Sequence, residues 1–84
     1  MDDRAHVILD ALKEGRFSLS IHAAQRMSRR SITKADIRAC GQTAKSCVFQ
    51  PQAGTYRIEG GDLDGEPLTV ICGLDKNVVI VTVF

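Results

Sequence analysis

The hydrophobic period changes once along this chain, near residue 45, and that change bounds the folds open to it. Before it, apolar residues recur at helical spacing. Ala5, Ile8, Leu9 and Leu12 form one stripe and predict a helix over residues 3–14. Asp2 or Asp3 can cap its start, and Gly15 can end it in a left-handed conformation. Phe17-Ser18-Leu19-Ser20-Ile21 alternates and reads as a short extended link, with Ser20 placed to cap a second helix over 21–30. Arg30-Ser31-Ile32 breaks that helix. Thr33 then caps a third, with Asp36 three residues on in a variant of the capping box. Ile37, Cys40 and Ala44 are spaced to face a core. Gly41 weakens this helix by roughly 1 kcal/mol relative to alanine and marks an early end for it.

After Lys45 the period is two. Cys47-Val48-Phe49, Thr55 to Glu59, Leu68 to Cys72 and Val78 to Phe84 read as strands, divided by Pro51, the turn-rich 60–65 segment and Asp75-Lys76-Asn77. Connections this short imply antiparallel neighbours. The last two strands carry apolar residues on both faces, as central or doubly covered strands do. The expected architecture is one α+β domain over residues 1–84. Helices from 1–45 pack on one face of a three- or four-stranded antiparallel sheet from 46–84.

No apolar run approaches the ~20 residues that span a bilayer, and the acidic opening Asp2-Asp3 lacks the apolar region of a signal peptide. Cys40, Cys47 and Cys72 form no Cys-x-x-Cys pair, and only His6 and His22 could join them around a metal. Three reduced thiols, no metal, no cofactor and a cytoplasmic location are expected. Charge is segregated: residues 1–45 hold nine bases against five acids, residues 46–84 two against five. A basic half suits a polyanion; it is equally what a polarised, solvated surface looks like.

The segment most suited to chemistry is Ser20 to Arg30. On a helix His22, Arg26 and Arg29 share one face, beside a separate apolar face of Ala23, Ala24 and Met27. An imidazole can take the proton of an RNA 2′-hydroxyl, and guanidiniums can hold the phosphate and offset the charge that develops. With the 2′-hydroxyl as nucleophile no metal is needed. The plain alternative is a solvated cationic face, with His22 a neutral, hydrogen-bonded residue in the first turn, where the helix dipole disfavours a charged ring. Thr82 is the one polar side chain in the closing apolar run, on the expected face of Val78, Ile80 and Phe84. It is either a site residue or simply a good strand former.

Ser20-Ile21-His22-Ala23 with Arg26-Met27, then Arg30, Ile32-Thr33 and Asp36-Ile37, resembles the helical signature of the small bacterial domain of unknown function numbered 4258. The closing Val79 to Phe84 is similar to that family's last strand, so the resemblance covers roughly residues 18–84. The family's layout is similar to the barnase–EndoU–colicin–RelE class, whose members cleave RNA without metal and often act as toxins. The resemblance therefore implies His22, Arg26 and Thr82 as catalytic residues. Arg30 comes next, with Arg29 and Lys34 as further RNA contacts on local geometry. RNA and a cognate antitoxin protein are the implied partners. The family tends to carry Glu-Arg-Gly before the isoleucine, where this chain has Arg29-Arg30-Ser31, so the turn there is expected to differ. Two other readings stand beside this one: a DNA-binding module built on residues 21–42, which have helix-turn-helix spacing, and a protein-interaction domain.

Overall fold

A computed structural model of the chain describes residues 3–84. The three amphipathic segments are helices: α1 (Asp3–Glu14), α2 (Ile21–Arg30) and α3 (Lys34–Gln42). Helix α1 buries Ala5, Ile8, Leu9, Ala11 and Leu12, and Gly15 closes it at φ +76° with its N–H on the Leu12 carbonyl. Asp2, the other candidate cap, lies outside the described residues. Ser20 caps α2, its hydroxyl accepting from the Ala23 N–H at 3.0 Å. Thr33 and Asp36 complete a reciprocal capping box on α3. The Asp36 N–H donates to Thr33 Oγ1 at 3.2 Å, and the Thr33 N–H donates to Asp36 Oδ2 at 2.8 Å. The second Asp36 oxygen accepts from the Leu63 N–H at 3.1 Å, so one buried carboxylate starts α3 and ties down the loop after residue 61.

The sheet corrects the expected count and direction. It has five strands, β1 (Ser18–Leu19), β2 (Ser46–Gln50), β3 (Thr55–Gly61), β4 (Pro67–Leu74) and β5 (Val78–Val83), in the order β1-β5-β4-β3-β2. The four C-terminal strands are antiparallel neighbours. Strand β1, inside the half expected to be helical, adds to β5 in parallel and makes the sheet mixed. The link from α1 to α2 has to cross the free edge of β5, and pairing there satisfies backbone groups on both segments. The alternation over residues 17–21 marks this segment as extended, but two residues are too few to show that it pairs with a sheet.

A second correction concerns β5. Ile71 pairs with Thr82 but Cys72 pairs with Ile80, so Val81 is an extra residue, a β-bulge. The bulge reverses the alternation. Val78, Ile80 and Val83 face the core, and Thr82 moves to the opposite face, level with Ile71 and Arg57. All three helices contribute to one core, with Ile8, Leu12, Ile37, Ile58, Val70 and Ile80 among its fully buried members. Among the described residues no helix is long and apolar enough to cross a membrane.

Helix α3 passes Gly41 and ends after Gln42, and the glycine has a reason. A β-carbon there would meet Leu12 Cβ at 2.7 Å and the Lys13 nitrogen at 3.1 Å. On the other side of α3, a β-carbon on Gly60 would lie 2.6 Å from the Cys40 carbonyl oxygen. Helix propensity alone predicts that Gly41→Ala stabilises the fold by about 1 kcal/mol. The α1–α3 contact predicts the opposite sign, a net loss of about 1–3 kcal/mol from overpacking. Urea denaturation of the two proteins decides between them, and a higher midpoint for the alanine variant refutes the contact argument.

Asp36 gives the fold a pH dependence. The Thr33 N–H first, then the Leu63 N–H, hold its carboxyl below the usual range, against a smaller opposing effect of burial. A carboxyl lowered on folding stabilises the native state fully above its unfolded pKa, near ~3.9, and loses that contribution as pH falls through the lowered value. Asp36→Ala is expected to cost about 2 kcal/mol at pH 7, from the cap and the charged hydrogen bonds. The gap between wild type and variant should narrow below about pH 4. A gap constant from pH 7 to pH 2.5 in denaturation curves contradicts this.

Candidate functional site

Helix α2 buries only Ala23 and Met27, which turn the rest of its surface outward. His22 is exposed, Arg26 is half-buried, and Arg29 and Arg30 are exposed. The segment contains no acidic residue, and none of these four makes an ion pair among the described residues. His22 and Arg26 stand one turn apart, so their β-carbons are about 6 Å from each other. The structure thus brings His22, Arg26, Arg29 and Arg30 onto one cationic helix.

Ser20 fixes the position of this helix against the sheet. Its N–H donates to the Ile80 carbonyl at 2.9 Å, and its hydroxyl donates to the Val81 carbonyl at 2.9 Å. The same oxygen accepts the capping bond from Ala23. The first turn of α2, which holds His22, therefore starts beside the bulge of β5. Nothing in local spacing signals the bond to Val81, because its partner lies 61 residues along the chain.

Thr82 and Lys34 are placed apart from this group. Helix α2 covers the Ile80 and Val83 side of β5, and Thr82 lies on the other side. Its Oγ1 is enclosed and has no hydrogen-bond partner among the described residues. Lys34 leans the other way, its ammonium 5.9 Å from the centroid of the Phe17 ring. Among the described residues no three His, Cys, Asp or Glu side chains gather as a metal-ligand set. The thiols of Cys40 and Cys72 are pushed up by burial to about 11 and about 12, which keeps them protonated and unreactive.

The family model described as "Domain of unknown function (DUF4258)" matches residues 19–84. No curated protein matches the chain, and no solved structure does.

The turn that orients the cationic end of α2 is formed by Ser31, at φ +56° and ψ +35°. Its N–H and that of Ile32 reach back to the Ser28 and Met27 carbonyls. This is the left-handed closure that glycine normally provides. The Arg29-Arg30-Ser31 triplet thus closes α2 with the left-handed strain on a residue that has a β-carbon. Ser31→Gly is expected to raise stability by about 1 kcal/mol. An unchanged or lower thermal midpoint would show that the left-handed geometry carries no such strain.

Proposed function

The chain belongs to the DUF4258 family, and from the geometry of α2 we propose that it is a metal-independent ribonuclease of the toxin type. The observation that carries this reading is an exposed imidazole one turn from a half-buried guanidinium, on a helix without carboxylates whose cations make no ion pair among the described residues. His22 takes the proton of the 2′-hydroxyl as O2′ attacks phosphorus. Arg26 holds the non-bridging oxygens and offsets the charge of the phosphorane. The P–O5′ bond then breaks, and the departing oxygen takes a proton from water. Arg29 and Arg30 hold neighbouring phosphates. Thr82, with its oxygen enclosed on the far face of β5, has no part in this scheme. A helix-turn-helix reading has less support. Helix α3 is packed between α1 and β3, and Arg38 on its exposed side donates from Nε to the Lys13 carbonyl at 3.2 Å.

The test is cleavage of RNA by purified protein in EDTA, with end-group analysis of the products. His22→Ala should lose about 100- to 10,000-fold in rate, the scale of one general acid or base, and Arg26→Ala a comparable amount. Both variants should keep the wild-type melting temperature, since neither side chain is in the core. Products should end in 2′,3′-cyclic phosphates. RNA binding should weaken steeply with salt as phosphate contacts release counterions. Folded wild-type protein that leaves every RNA intact, or cleavage undiminished in His22→Ala, would remove the proposal.

A further inference from the structure

We propose that the cleft between α1, β1 and the β4–β5 turn is a nucleotide subsite that takes one nucleobase and its adjacent phosphate. The inference rests on the RNA reading of α2 only for the source of that nucleotide. The cleft encloses about 380 Å³, within the size range of small-molecule sites. Its apolar side is formed by Val7 and Phe17, from α1 and the segment after it, and by Val78 from the far end of the chain. Its polar rim is Arg16, Ser18, Lys76 and Asn77: two cations, a hydroxyl and an amide, with no carboxylate lining it.

Each part of that lining matches a part of a nucleotide. The Phe17 ring and the half-exposed Val7 offer an apolar surface for a base, and stacking on an aromatic ring suits any base. The Asn77 amide can both donate to and accept from a base edge. Lys76 makes no ion pair among the described residues, so its ammonium is available to a phosphate. Arg16 is paired with Glu14, but both side chains are more than half exposed, and such a pair exchanges readily for a phosphate.

Strand β1 links the cleft to the proposed catalytic helix along the chain. Ser18 lines the cleft, and two residues further on Ser20 caps α2 and precedes His22.

Titration of the ¹⁵N-labelled protein with nucleoside 3′-monophosphates tests the subsite without requiring cleavage. Amide shifts should centre on Ser18, Lys76 and Asn77. Lys76→Ala should weaken binding by about tenfold, as expected for a lost charged hydrogen bond. Phe17→Leu, which keeps an apolar group in place, should weaken it while leaving the melting temperature close to wild type. His22→Ala should bind as tightly as wild type. A 2′-O-methyl oligoribonucleotide that shifts both cleft and α2 amides identifies RNA as the source; shifts confined to the cleft identify a free nucleotide. No cleft shifts with any monophosphate, equal affinity for inorganic phosphate alone, or unchanged binding by Lys76→Ala overturns the assignment. Cleft binding with RNA left intact removes the enzyme reading and keeps this one; cleavage without cleft binding does the reverse.

Discussion

The arrangement of this domain depends on how closely α3 is approached from both sides. Gly41 lets Leu12 and the Lys13 backbone of α1 lie where a β-carbon would be, and Gly60 does the same for the Cys40 carbonyl beneath. Helix α3 is therefore held between a helix and a strand at backbone distance. The Cys40 thiol fills the remaining space and donates to the Leu68 carbonyl at 3.4 Å, which joins the contact to β4. Interiors this tightly packed do not yield by small amounts, so the spacing of α1, α3 and β3 behaves as one unit.

The position of α2 follows from that unit at one end and from the sheet edge at the other. The Ser31 turn and the Thr33–Asp36 box join α2 to α3, while Ser20 joins it to β5. A helix anchored at both termini needs only Ala23 and Met27 for its buried contact. The rest of its surface is free to carry charge at little cost to the core. The charge asymmetry of the sequence takes physical form here. The α2 cations have no acidic neighbour on their own helix, while Asp62, Asp64, Glu66 and Asp75 sit in or beside the turns that flank β4.

What was legible in the sequence was what short-range chemistry decides. The α1 stripe, the Ser20 cap and the Thr33–Asp36 box appear as expected, because each involves residues no more than a few positions apart. Contacts over long sequence distances were not legible. Gly41 reads locally as a weak helix residue, and its value appears only when Leu12 is brought against it. Strand β1 depends on the unpaired edge of β5, some 60 residues later in the chain. The cleft residues Arg16 and Lys76 are equally distant and share no motif. Alternation along β5 assigned Thr82 to the wrong face, because a bulge adds one residue without any mark in composition.

The bulge also decides which face of the sheet the one polar side chain of β5 occupies. Thr82 Oγ1 is enclosed without a partner, and an unsatisfied buried hydroxyl costs about 1–3 kcal/mol. A group in that position neither contacts a phosphate nor supplies charge to one. The bulge residue Val81, by contrast, brings its carbonyl to Ser20 and so sets where the first turn of α2 begins. The irregularity that takes Thr82 away from the helix is thus the feature that holds His22 beside the strand edge. The β1 segment connects this helix to the cleft in the chain, since Ser18 lines the cleft and Ser20 caps α2. On the proposed ribonuclease reading, the two features supply what a single strand of RNA requires, cations for its phosphates and an aromatic surface for a base.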